Sequence, residues 1–285
     1  MSNLKSRLIL TAIFIPGLFV AIFFLPFLNH LVFNLMVIIV IFLASQEICG
    51  MFQGKGISTW PVFAPLLAAS YGAAVYAEST GFLIPNFSLY WLIGIITIIF
   101  MAGIIVRDEK KMNERLPLLA STIFVIVYPG ILLSFITRIS TLQEPSATLL
   151  LFIAAIFAND IAAYLAGRFF GRGKALKLPI SPKKTLIGFI AGFIASIGIV
   201  LAAAAIFPWA IPLSLWKAIT LGAILGVLGI IGDLFESALK RSSEVKDSGV
   251  LMGGRGGLMD AIDSLLPAAP VFFYLYPLLT AGLFQ

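Results

Sequence analysis

Charged side chains are scarce: Asp, Glu, Lys and Arg make up 11% of the 285 residues, against about a quarter in a soluble globular domain. Together with a mean hydropathy of +1.07, that scarcity excludes a water-soluble fold and leaves no polar block for a separate soluble domain. The single cysteine, Cys49, excludes an intrachain disulfide, so the redox compartment is not legible from bridges. The single histidine, His30, excludes a histidine-rich zinc site and an HExxH helix, and leaves little scope for a Ser-His-Asp triad. A bound metal would have to be held by carboxylates, whose hard oxygens favour Mg²⁺ over zinc. No GxxxxGK[ST] segment occurs, which excludes a P-loop.

What the chain does have is apolar residues, 60% of the total, arranged in runs of about 20, each long enough to cross a ~30 Å hydrocarbon core. Runs bounded by charge or by Pro, Gly and Asn predict nine spans, at roughly 8–27, 30–48, 60–77, 88–106, 117–137, 148–167, 186–208, 214–236 and 264–283. The expected fold class is all-α, a polytopic integral membrane protein of about nine transmembrane helices. The first run is too long for a signal-peptide core and lacks a small-x-small cleavage site, so it is read as retained. Of the 19 Lys and Arg residues, 17 fall at the N-terminus and in the even-numbered loops, and only Arg138 and Lys217 on the other side. This asymmetry predicts a cytoplasmic N-terminus and an external C-terminus. Residues 1–147 would form five spans without a motif, and residues 148–285 four spans with two cytoplasmic motif loops.

Most of the 13 acidic residues are assigned to loops, but Asp160, Asp233 and Glu236 fall within or at the ends of apolar runs. A carboxylate there costs at least a few kcal/mol unless it is paired or binds a metal. Asp160 is followed by Arg168, a run of glycines, and Ser181-Pro182-Lys183-Lys184-Thr185, a loop whose backbone can approach an anion closely. On a helix, Asp233, Glu236, Ser237 and Lys240 form one polar stripe. Arg241, Lys246, Asp247 and the tract Gly253, Gly254, Arg255, Gly256 and Gly257 follow, and then Asp260 and Asp263, three apart. Converging carboxylates beside basic residues and glycines suit a polyphosphate bridged by a divalent cation. That is the equipment of phosphoryl or nucleotidyl transfer, where positioning and charge neutralisation supply most of the rate.

The stretch GDLFESALKRSSEVKDSGVLMGGRGGLMDAID, from Gly232 to Asp263, resembles the signature of the phosphatidate cytidylyltransferases, or CDP-diacylglycerol synthases. Ser237, Lys240, Arg241, Lys246, Asp247, Gly249, Gly254, Gly256, Gly257, Asp260 and Asp263 match in register. Upstream, NDIAAYLAGRFFGR and SPKKT are similar to two further elements of the family, so the resemblance covers about residues 150 to 266. The chain departs from the pattern where the family's proline, histidine and arginine are Gly253, Arg255 and Ala261, and where its Trp-Glu after SPKKT is Leu186-Ile187. Arg255 keeps a positive charge but cannot shuttle a proton.

The resemblance implies the reaction of CTP with phosphatidate to give CDP-diacylglycerol and pyrophosphate, dependent on Mg²⁺, with a second cation left open. Under it, Asp233, Asp260 and Asp263 would be metal ligands, with Asp160 a further ligand or a partner of one. Lys240, Arg241, Lys246 and Arg255 would neutralise phosphates, Lys183, Lys184 and Arg168 would close the site, and Ser237, Gly256 and Gly257 would donate to substrate. The expected partners are CTP, phosphatidate and the bilayer, with no nucleic acid. Small-residue runs such as Ala202–Ala205 pack either within a protomer or between protomers. Two alternatives stay open: a CTP-dependent lipid kinase, and an ion-coupled transporter using Asp160, Asp233 and Glu236. An alcohol phosphotransferase consuming CDP-lipid would need a D-G-x-x-A-R motif, and none is present.

Overall fold

The computed structural model describes residues 16–105, 109–171, 173, 175–249 and 256–281. Among these the only β-type pairing is a single bridge between Ala175 and Thr185, and the rest of the regular structure is helical. The main helices are α1 (Phe27–Gly54), α2 (Phe63–Ser79), α3 (Phe87–Ile104), α4 (Met112–Ile139), α5 (Pro145–Phe170), α6 (Leu186–Ile206), α7 (Leu215–Ser242) and α8 (Leu265–Thr280). A single turn, Met259–Ile262, precedes α8.

Among the described residues, seven helices are long and apolar enough to cross a membrane: α1, α3, α4, α5, α6, α7 and the stretch Met259–Thr280. They bear large apolar side chains on their outer faces, among them Ile39, Met101 and Ile194, as a lipid-facing surface requires. Two of the nine predicted spans are not in this set. The run at 60–77 becomes α2, with 17 residues, or about 26 Å at the helical rise, short of the hydrocarbon thickness. The first eight residues of the run at 8–27 lie outside the described residues, and 16–23 are helical.

The chain divides into two compact units, one of residues 1–138 with 242–261, the other of 139–241 with 262–285. In the first unit, Leu28, Asn29 and His30 take left-handed backbone angles, with φ of 49°, 52° and 59°. Such angles cost non-glycine residues about 1–2 kcal/mol each. Here Asn29 Nδ2 donates to Ser79 Oγ at 3.0 Å and the Tyr76 hydroxyl to the Leu28 carbonyl at 2.6 Å, fixing the entry to α1 against the end of α2. Pro129 lacks an amide hydrogen, and α4 widens into a π-helical turn over Ile126–Ile131 around it.

In the second unit, α5 and α6 pack closely. Ser196 Oγ donates to the Ala155 carbonyl at 2.9 Å, and buried Asn159 donates from Nδ2 to the Gly226 carbonyl of α7 at 2.8 Å. Pro145 opens α5 at a position where no amide is needed. Thr185 caps α6, its Oγ1 accepting from the Gly188 amide at 3.1 Å.

Candidate active site

Each polar group in the second unit is placed by a local feature of the chain. Asn159 fixes the rotation of α5 against α7 through its bond to Gly226, and so sets the direction of Asp160, the next residue. The loop between α5 and α6 is pinned by the Ala175–Thr185 bridge and by the Leu176 amide donating to the Lys184 carbonyl at 2.7 Å. This leaves Lys184 one residue before the α6 cap. Gly232 lets the start of α8 press against α7, since a Cβ there would stand 2.8 Å from Ser264 Cα. Asp233 follows directly on α7.

These placements gather a compact set of charges. Lys184 Nζ is ion-paired with Asp233 Oδ2. Buried Asp263 accepts from the Ser264 amide at 2.6 Å, and the Ser264 hydroxyl lies 3.2 Å from Asp263 Oδ1 and 3.1 Å from Asp160 Oδ1. One hydroxyl proton cannot serve two carboxylates at once. Glu236, fully buried on α7, is ion-paired with Lys240 one turn later. Burial pushes the Lys184 ammonium below the usual lysine value, while Asp263 and Asp160 pull it back up. Four carboxylates, of Asp160, Asp233, Glu236 and Asp263, thus face two ammonium groups, of Lys184 and Lys240, a formal excess of two negative charges.

The described residues hold no group of three His, Cys, Asp or Glu side chains placed to hold a metal ion. The local reason is that Lys184 sits on Asp233 and the Ser264 hydroxyl sits between Asp160 and Asp263. The donor set nevertheless fits Mg²⁺ in kind, being all oxygen and short of two positive charges.

Other predicted residues are placed differently. Arg168 donates to the Tyr164 hydroxyl at 3.0 Å on the exposed face of α5. Arg241 Nε lies 3.4 Å from the Ile180 carbonyl, tying the end of α7 to the loop that carries Lys183 and Lys184. Lys183 and Lys246 are exposed, and Ser237 is buried on α7. Arg255, Gly253 and Gly254 lie outside the described residues.

Asp260 belongs to the first unit. Its Oδ2 accepts from the Gly257 amide at 2.7 Å, the Ser248 amide at 3.0 Å and the Ser248 hydroxyl at 2.9 Å. Gly256, with φ of +100°, makes the turn that allows this, and a Cβ there would stand 2.5 Å from Asp260 Oδ2. The same unit reveals a residue that sequence reasoning missed, Glu47 on α1. It is buried and accepts from the amides of Leu258 and Met259, both at 2.8 Å, and its Oε2 lies 3.0 Å from the Ser248 hydroxyl, whose one proton it competes for with Asp260. The available signal was a carboxylate in the last turns of an apolar run, the same criterion that singled out Asp160.

Comparison with known proteins is decisive on ancestry: the model of the cytidylyltransferase family matches residues 5–279. The chain belongs to this family. A phosphatidate cytidylyltransferase of Aquifex aeolicus is 35% identical over 150 residues, 53% of this chain and 54% of the relative. The protein YnbB of Escherichia coli K12 is 43% identical over 154 residues, 54% of this chain and 49% of its own length. The chain thus spans about half the length of these two curated relatives. A phosphatidate cytidylyltransferase of Staphylococcus saprophyticus is similar throughout, 29% identical over 268 residues, 93% of this chain and 95% of the relative.

Proposed function

We propose that this membrane protein transfers CMP from CTP to phosphatidate, giving CDP-diacylglycerol and pyrophosphate, in a Mg²⁺-dependent reaction at the cytoplasmic face. The observation that carries the reading is the set of four carboxylates around two lysines, deficient by two positive charges, in a chain whose family match extends from residue 5 to 279. The similarity to named phosphatidate cytidylyltransferases supports the choice of nucleotide and lipid.

In this reaction a phosphate oxygen of phosphatidate attacks the α-phosphorus of CTP. The bond to the bridging oxygen of the β-phosphate breaks, and pyrophosphate leaves. A phosphate monoester has a second pKa of about 6, so the attacking group is largely dianionic at neutral pH and no protein base is required. That suits a chain with one histidine, His30, at the start of α1. The protein's task is to hold two anions together. Lys184 and Lys240 are the cations within the cluster, and either can exchange its carboxylate partner for a substrate phosphate. Lys183, Arg241, Lys246 and Arg255 supply further positive charge, Arg168 adds to it from α5, and Ser237, Gly256 and Gly257 supply hydrogen-bond donors. Asp160, Asp233 and Asp263 would hold Mg²⁺, and the ion, when bound, supplies two positive charges that offset those on the phosphates. Asp260 shapes the loop before α8 through its bonds to Ser248 and Gly257. The cytoplasmic placement follows from the 17 basic residues on one set of loops against two on the other.

The test is an assay of the detergent-solubilised protein with CTP and phosphatidate, with and without Mg²⁺. The expected result is Mg²⁺-dependent CDP-diacylglycerol with one pyrophosphate released per lipid. Release of CDP with a newly phosphorylated lipid would replace this reading with a lipid kinase.

A further inference from the structure

The first unit contains a cavity of about 470 Å³, within the size range of small-ligand pockets. We propose that it binds the headgroup of a bilayer phospholipid carrying both a phosphate and a primary ammonium, the phosphoethanolamine class. The proposal stands apart from the reading of the reaction.

The cavity lies where α1 ends and α4 begins. Gly56, with φ of 76°, turns the chain out of α1, and the Ile57 amide donates back to the Phe52 carbonyl at 2.9 Å. Ser58 and Trp60 line the cavity from this loop, and Glu114, Arg115 and Leu118 line it from α4. Ser58 ties the two elements together: its hydroxyl donates to Glu114 Oε2 at 3.0 Å, and its carbonyl lies 2.8 Å from the Ser121 hydroxyl.

Glu114 and Arg115 are the ionic side chains of the lining. Neighbours along a helix do not face one another, and no ion pair joins these two among the described residues. Arg115 Nε is buried, and no described residue accepts its proton. A buried donor without an acceptor costs free energy, so the cavity favours a ligand that brings an acceptor oxygen. A phosphate alone would bring it beside the Glu114 carboxylate, which repels it. A ligand with a phosphate for Arg115 and an ammonium for Glu114 satisfies both. Lys55, next to Gly56, is engaged by Glu244 and does not alter that balance.

The surroundings favour a lipid over a soluble phosphate ester. Both α1 and α4 are long and apolar enough to cross a membrane, so a cavity at their ends lies at the bilayer interface, where Trp is enriched. Val62, Phe63 and Leu116, close in the chain to Trp60 and Arg115, are exposed apolar side chains on which acyl chains can lie. A primary ammonium offers three donors to Glu114, whereas a trimethylammonium offers none and a glycerol headgroup brings no cation.

The experiment titrates the purified full chain in detergent with dioctanoyl phosphatidylethanolamine, phosphatidylglycerol and phosphatidylcholine, and with soluble glycerophosphoethanolamine, reading bound ligand by native mass spectrometry. Wild type should bind phosphatidylethanolamine about tenfold or more tighter than the other two lipids, as a hydrogen bond to a charged group warrants, and tighter than the soluble ester. Glu114→Gln, which keeps an oxygen for the Ser58 hydroxyl, should bring phosphatidylethanolamine and phosphatidylglycerol to within about twofold of each other. Arg115→Gln should weaken all three lipids about tenfold. Equal binding of the three lipids by wild type, a preference for phosphatidylglycerol, an undiminished ethanolamine preference in Glu114→Gln, or unaltered binding in Arg115→Gln would overturn the proposal. Glycerophosphoethanolamine binding as tightly as the lipid would overturn the assignment to the bilayer. Should Arg115→Gln fail to fold, the wild-type ranking and Glu114→Gln decide alone.

Discussion

Asp263→Asn should make the protein more stable and less active at once. The Asp160 and Asp263 oxygens both lie against the Ser264 hydroxyl, at 3.1 and 3.2 Å, which places them no more than about 6 Å apart. Two unit charges at that separation repel by about 3 kcal/mol at an effective dielectric constant of about 20. Lys184 and Lys240 offset part of this, so a net gain of about 1–2 kcal/mol is expected on removing one charge. The new Asn keeps an oxygen to accept from the Ser264 amide, so no hydrogen bond is forfeited. The assay is thermal unfolding in detergent with Mg²⁺ absent, where the transition should rise by a few degrees, and then with Mg²⁺ and CTP added. Wild type should be stabilised further by ligand, about 2.7 kcal/mol at a hundredfold excess over Kd. The variant should gain little and lose at least about a hundredfold in turnover, as expected for removal of a transition-state charge partner. A variant that unfolds earlier than wild type without metal, yet turns over normally, would refute the electrostatic reasoning and the assignment of Asp263 together.

Lys184→Met strips Asp233 of its partner. With side-chain exposures of 21% and 34%, the pair stands between a surface ion pair and a buried one, so the loss should be about 1–2 kcal/mol of stability, and kcat/KM should fall about tenfold to a hundredfold in the product assay. Asn159→Ala removes the buried donor to the Gly226 carbonyl and should cost about 1–3 kcal/mol in thermal unfolding, with activity falling as Asp160 loses its fixed direction. Lys55, beside exposed Glu244, holds that carboxyl below the usual glutamate value. A depressed carboxylate contributes stability that is present above its ordinary pKa and lost as pH falls through the depressed one. Lys55→Gln should therefore slightly lower the unfolding temperature at neutral pH and leave it unchanged in strong acid, as a pH series of melts would show.

Much of the second unit was legible because its polar residues stand out against apolar runs. Asp160 and Asp233 were singled out by cost alone, and the structure places both in one cluster with Asp263 and Lys184. The pairing of Lys184 with Asp233 was not legible, because it depends on how the 171–185 loop folds back through the Ala175–Thr185 bridge. Arg168, read from the sequence as closing the site, donates to the Tyr164 hydroxyl one turn earlier on α5, a contact that the i, i+4 spacing makes available. Glu47, in the run at 30–48, met the same criterion of cost and was passed over; its partners, backbone amides more than 200 residues away, leave no mark in composition or spacing. Nine spans were expected, and among the described residues seven helices are long and apolar enough to cross a membrane; α2 has an apolar run like the others, but its helix ends at Ser79 after 17 residues.

The central claim is that the α-phosphorus of the nucleotide, not the γ, passes to the lipid at the Asp160, Asp233 and Asp263 cluster. Parallel reactions with CTP labelled at the α- or the γ-phosphate, in the presence of Mg²⁺ and phosphatidate, test it most directly. The account predicts that only α-label enters the lipid and that γ-label leaves as pyrophosphate. Lipid carrying γ-label, or α-label entering lipid at the wild-type rate when Asp233 and Asp263 are both Asn, would contradict it.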